Sequence, residues 1–145
     1  MTKPAGRPGG KVFPLHVPFN EMMGIRVEHW ERGRSLVTVE VRQDLTNSWK
    51  VAHGGVVTAL LDVALATAAH TSFDEGEGVV TLNLSVSFLS AGRGALVAEG
   101  RLLRGGRSVA FCEGEVRSEE GEVVAKGVGT FKLRRRKEAA ESRSG

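Results

Sequence analysis

Residues 53–70 read HGGVVTALLDVALATAAH, and this segment constrains the rest of the chain more than any other. It has no Pro, its glycines stand only at the start, and Ala and Leu dominate, which predicts a helix of about four to five turns. It is apolar nearly all round, interrupted only by Thr58, Asp62 and Thr67. Such a helix cannot lie on a surface; other structure must wrap it. Nor does it read as a membrane span. The apolar stretch 54–69 holds Asp62 near its middle and falls short of the roughly 20 apolar residues a crossing needs.

The flanks supply the wrapper. Pro18-Phe19-Asn20 followed by Met22 and Met23 predicts a short helix or turn within 14–23. Ile25 and Val27 alternate with charged residues, Gly33 turns the chain, and Val37, Val39 and Val41 share one face of a second strand over 35–41. Residues 44–52 show neither period and read as a loop. Beyond the turn-rich 73–78, Val80, Leu82, Leu84, Val86 and Phe88 face one way and Thr81, Asn83, Ser85 and Ser87 the other. Turn signals at 91–94, 105–106 and 119–121 divide the remainder into strands over 95–103, 107–118 and 122–133. Hairpin-length connections predict that the last four strands form an antiparallel meander, its even-numbered face on the helix. The expectation is an α+β fold: a curved antiparallel sheet of about six strands wrapped around one long helix.

A chain of 145 residues suits one domain, expected over 13–133 between a flexible arm, 1–12, and a charged tail, 134–145. The pI near 9.4 misleads about partners. The arm carries +3 and residues 132–145 carry +4, which leaves −4 on 13–131. An acidic folded core is poor material for a nucleic-acid surface, so no nucleic-acid or membrane partner is expected. The lone Cys112 permits no intramolecular disulfide, and residues 1–12 lack a secretory h-region. A soluble, cytoplasmic protein is the expectation.

Asp62 is the residue that stability alone does not explain. An ionised carboxylate in a segment built for burial costs several kcal/mol without partners. One reading is a structural carboxyl satisfied by a hydroxyl or a Trp N–H; the other is a base or nucleophile in an apolar pocket. Gly54 and Gly55 at the helix start either serve a tight turn or expose N–H groups that stabilise developing negative charge. Eight residues separate Gly54 from Asp62, about 12 Å of helix. One reacting carbonyl cannot touch both. Two antiparallel copies of the helix would place Gly54 of one beside Asp62 of the other, so a shared site implies a dimer interface.

Asn47-Ser48-Trp49-Lys50-Val51-Ala52-His53-Gly54-Gly55, with Asp62 eight residues after Gly54, resembles the hotdog-fold acyl-CoA thioesterases, nearest to the phenylacetate-degradation (PaaI-like) subgroup. The likeness runs from about Phe19 to Leu133. It implies hydrolysis of an acyl-CoA or aryl-CoA thioester, with Asp62 as nucleophile or general base and the Gly54 N–H of the other subunit polarising the carbonyl. It also implies that Asn47 orients the thioester or water, that Thr81 assists the acid, and that His53 and Gly55 shape the substrate loop. Arg93, Arg104, Arg107 and Ser108 would meet the coenzyme's phosphates, unless these turn arginines are merely solvated. A homodimer or a tetramer of paired dimers follows from the same likeness. No cofactor or metal is expected, since His16, His29, His53 and His70 lack ligand spacing. The alternatives are a non-catalytic acyl-CoA-binding module and a hotdog-fold dehydratase. The first would want a DNA-binding domain that twelve loose residues cannot supply, and the second a His placed as base.

Overall fold

The computed structural model of the chain describes residues 16–74 and 78–135. The expected arm, and the tail beyond Arg135, lie outside the described residues. Helix α1 (Pro18–Met23) leads into β1 (Arg26–Glu31) and β2 (Arg34–Glu40). After a 3-10 turn at Gln43–Leu45 comes the long helix α2 (Gly54–Ser72), then β3 (Gly78–Phe88), β4 (Ala95–Gly105), β5 (Val109–Arg117) and β6 (Val123–Arg134). Arg134, expected to open the tail, is therefore the last residue of a strand.

All six strands join one antiparallel sheet in the order β1-β2-β4-β5-β6-β3. The expected four-strand meander is only partly right. β4 to β6 form it, but β3 pairs with β6 at the far edge, and β4 pairs with β2. The connection 89–94 crosses over the start of α2, held by the Ala52 N–H on the Gly92 carbonyl and the Leu89 N–H on the Val124 carbonyl, both 2.8 Å. Inserting three strands between β2 and β3 lets the sheet reach both sides of α2, which packs against all six strands.

The helix sits in a trough cut by glycine. Gly100, Gly114 and Gly127 lie opposite one another on β4, β5 and β6. A Cβ on Gly100 would collide with the Ala64 carbonyl, one on Gly114 would stand 2.6 Å from Leu65 Cδ1, and one on Gly127 2.5 Å from Leu61 Cδ2. At the same place the Ser35 hydroxyl donates to the Ala64 carbonyl at 2.6 Å. Around this seam Leu60, Leu61, Leu65, Leu96, Phe131 and Leu133 form the core. Cys112 is fully buried there, and burial pushes its thiol up to about 12, so it stays an inert thiol. By length and composition α2 could cross a membrane, yet most of it is buried inside the sheet.

The expected face assignment of β3 fails at its N-terminal half. A bulge between Thr81 and Asn83 leaves Leu82 without a cross-strand partner and shifts the alternation by one. Val79 and Thr81 thus turn toward α2, as do Leu84, Val86 and Phe88 beyond the bulge. Val80 and Leu82 stay exposed instead of packing on the helix.

The glycine trough makes a specific prediction. Gly100→Ala should destabilise the protein by about 1–3 kcal/mol or more, because the new methyl would fall on the Ala64 carbonyl of α2. Gly78→Ala, with nothing within 4 Å of the new methyl, should be neutral within error. Thermal or urea unfolding compares the two, and equal stabilities would contradict the close seating of α2.

Candidate active site

The sheet closes around most of α2 and leaves one stripe open, between the edge strands β1 and β3. Thr58, Ala59, Asp62, Val63 and Ala66, at helical spacing, are half-buried along it. A cleft of about 760 Å³ opens over this stripe, walled by Val63, Ala66, Thr67 and His70 of α2, Arg26 and Glu28 of β1, and Val79 and Thr81 of β3. α1 closes one side through Asn20 and Glu21, with Val17 just before it. A volume of this size is typical of small-molecule sites.

Asp62 stands at the cleft wall with the Thr81 hydroxyl donating to its Oδ1 at 2.8 Å. Partial burial raises its pKa above the ordinary aspartate range, and the Thr81 hydrogen bond opposes that rise. The group is therefore a held, partly desolvated carboxyl, more basic than one in water. The bulge in β3 is what aims Thr81 at it.

At the other end of the site, α2 begins at Gly54 with His53 as its N-cap. His53 Nδ1 accepts from the Gly55 N–H at 2.8 Å, which places the proton of a neutral ring on Nε2. Gly55 has thus spent its N–H on the cap. The Gly54 N–H donates to no described residue and remains at the positive end of the helix dipole. The ring of Phe88 lies 3.6 Å from where a Gly54 Cβ would stand, so a bulkier residue there would crowd β3.

Asn47 holds the preceding loop. Its Oδ1 accepts from the N–H groups of Trp49 at 2.9 Å and Val51 at 3.3 Å, and its own N–H donates to the Val51 carbonyl at 2.9 Å. This clamp holds Lys50 in the left-handed region at φ 63°, and the Asn47 side-chain amide N–H has no acceptor among the described residues.

The structure brings Asp62 and Thr81 together, and separately His53, Gly54 and Gly55 with Asn47 close by. It does not bring the two groups together in one chain, because about 12 Å of helix separates Gly54 from Asp62. Nor does it gather the arginines. Arg93 is exposed beside the helix start, next to the Gly92–Ala52 hydrogen bond. Arg104 and Arg107 are exposed at the other end of β4, roughly 30 Å away along the strand. The Ser108 carbonyl accepts from the Leu133 N–H.

Sequence reasoning missed Glu28. It sits at a bulge between Val27 and His29 and borders the cleft beside Arg26, buried, with its Oε1 accepting from the Thr38 hydroxyl at 2.9 Å and standing 3.6 Å from Arg26 Nε. No local signal in RVEHWE marks that bulge.

The family model described as the thioesterase superfamily matches residues 50–125, about half of the chain. The medium/long-chain acyl-CoA thioesterase YigI of Escherichia coli is 29% identical over 138 residues, which span 84% of this chain and 89% of YigI. A solved Thermus thermophilus structure is 33% identical, with a TM-score of 0.74, and covers 82% of this chain and 99% of its own. The fold is also that of the E. coli PaaI protein from the phenylacetic acid degradation operon, at 23% identity and a TM-score of 0.73 over 79% of this chain and 83% of PaaI. The chain belongs to the thioesterase superfamily and is a thioester hydrolase of hotdog fold.

Three variants test the acid. Asp62→Asn should lower kcat by ~10²–10⁴. Because the folded protein holds the Asp62 proton to higher pH than the unfolded chain, wild-type stability falls as pH rises from the ordinary aspartate range through the raised value. Asp62→Asn should therefore unfold at a higher temperature than wild type at neutral pH, and at the same temperature in acid. Thr81→Val removes the bond that favours the carboxylate, so the acid limb of kcat/KM should move to higher pH, whereas Thr81→Ser should leave it in place. An unmoved limb in Thr81→Val would uncouple the two residues.

Proposed function

We propose that the protein hydrolyses acyl-CoA or aryl-CoA to the free acid and CoA, in a site shared between two copies of the chain. Asp62 either attacks the thioester carbonyl or takes the proton of the attacking water. The N–H of Gly54 from the second copy receives the oxyanion. The observation that carries this reading is the pairing of a partly desolvated Asp62, held by Thr81, with a glycine helix start whose N–H has no described partner. Each half is chemically incomplete without the other, and the span of α2 keeps them apart within a chain.

β3 supports the second copy independently. It is an edge strand of 11 residues, and Val80, Leu82 and Phe88 are exposed along it. A long, apolar, unprotected edge invites pairing with another strand. Two β3 edges running antiparallel would also set the two α2 helices antiparallel, which carries Gly54 of each toward Asp62 of the other. In that arrangement the free amide N–H of Asn47 orients the thioester or the water. Arg93, or Arg104 and Arg107 with Ser108, meet the phosphates of CoA. YigI acts on medium- and long-chain acyl-CoA, and a thioester of the same coenzyme is the substrate class proposed for this chain. Pairing of such dimers into a tetramer is compatible with the site.

Complementation tests the shared site. Asp62→Asn and Gly54→Pro, each first shown to fold and dimerise, are mixed under reversible dissociation. A heterodimer carries both defects in one site and neither in the other, so activity should return to about half of wild type per heterodimer. Gly54→Pro removes the donor while its fixed φ suits a first helical position. A mixture that stays inactive, or a monomer with full activity, would refute the shared site.

A further inference from the structure

Trp49 is 81% exposed, the most of any large apolar residue among the described residues, whereas Trp30 is 5% exposed. Exposure alone would mean little, since single apolar residues are common on surfaces. The loop that presents Trp49 gives it meaning. Asn47 Oδ1 accepts from the Trp49 N–H at 2.9 Å, and the Lys50 N–H donates to the Asn47 carbonyl at 3.0 Å. A bridge between Thr46 and Ala52 closes the loop at its base. Lys50, at φ 63°, holds a backbone conformation that a residue with a side chain adopts only when its surroundings impose it. The indole is thus fixed in solvent at the tip of a constrained loop, five residues before Gly54.

The surroundings are basic. Lys50 follows Trp49, and the Ala52 N–H on the Gly92 carbonyl brings the 89–94 connection, with Arg93, against the same loop. Both cations are exposed. Residues 45–61 and 78–98 contain no Asp or Glu, although 13–131 together carry −4. Glu119 reaches the turn after Arg93, where its Oε1 accepts from the Ala95 N–H at 2.9 Å. An exposed aromatic plane beside two cations complements a purine that carries phosphates. CoA ends in such a group, joined to its thioester by the pantetheine arm. At most about 17 Å of chain separates Trp49 from Gly54, a span the arm can cover. We propose that Trp49 is a substrate-binding residue that stacks on the adenine of CoA, with Lys50 and Arg93 on its phosphates. The site thereby favours CoA thioesters over thioesters of thiols without a nucleotide.

The inference rests on the hydrolase reading, and the experiment separates the two. Thiol release is measured for octanoyl-CoA and octanoyl-pantetheine, which share the reacting carbonyl and differ in the nucleotide. Wild type should prefer the CoA thioester in kcat/KM by about tenfold or more, chiefly through KM. In Trp49→Ala that ratio should fall by about fivefold or more, and Trp49→Phe, which keeps a ring, should stay within about threefold of wild type. Arg93→Gln should lower the ratio and weaken its dependence on salt. Circular dichroism first establishes that each variant is folded. A wild-type ratio near one overturns the proposal, and so does a ratio that survives intact in Trp49→Ala. A loss shared equally by both substrates overturns it too, since Trp49 would then serve the fold or a contact between subunits. A ratio unmoved in Arg93→Gln overturns the role of that arginine. Quenching needs no variant: Trp30 is buried, so acrylamide reads Trp49. CoA should shield the indole and pantetheine should not; equal quenching with and without CoA overturns the stacking. Absence of thiol from every acyl-CoA would instead overturn the hydrolase reading, on which the shielding by CoA does not depend.

Discussion

Everything functional here depends on how closely α2 lies against the sheet. The row Gly100–Gly114–Gly127 removes three side chains from the surface the helix meets, so Ala64, Leu61 and Leu65 descend almost to the strand backbones. The apolar residues this buries, Leu60, Leu61 and Leu65 among them, are worth roughly 1.5–3 kcal/mol each. A helix held that deep can carry a carboxyl on its remaining open stripe without losing its seat. The same depth forms the floor of the cleft.

Both edge strands are irregular where they border the cleft. Thr81 and Glu28 each lie beside a β-bulge, one on either edge strand. On β3 the bulge displaces the alternation by one residue, so Thr81 replaces an apolar side chain on the inner face. On β3 the cost is visible in Val80 and Leu82, which are left exposed. Edge strands tolerate this because only one of their sides is committed to the sheet, and both edges border the stripe of α2 that the sheet leaves open.

The electrostatics follow from incomplete burial. Fully enclosed, Asp62 would give up its charge; fully solvated, it would be an ordinary weak base. The half-buried stripe raises its proton affinity while the Thr81 hydroxyl keeps the ionised form accessible. At the start of the same helix, His53 satisfies the Gly55 N–H, whereas that of Gly54 has no partner among the described residues. One helix therefore offers a basic carboxyl in its middle and a hydrogen-bond donor at its end, too far apart to act on one carbonyl within a chain.

The long helix, its carboxyl and its glycine start were all legible in the sequence, because residues 53–70 lack Pro, carry glycine only at the start and are apolar nearly all round, with Asp62 their one acidic residue. The dimer argument also needed nothing beyond a rise per residue. Strand count and most boundaries followed from turn residues, which act locally. What the sequence did not determine were the features set by pairing: β3 beside β6 rather than β4, the glycines drawn into a single row, and the two edge-strand bulges, of which that in β3 turns Thr81 inward. Each depends on which residue of one strand stands opposite which residue of another. That register is decided by the packing of the whole sheet on α2, and no local pattern of side chains records it.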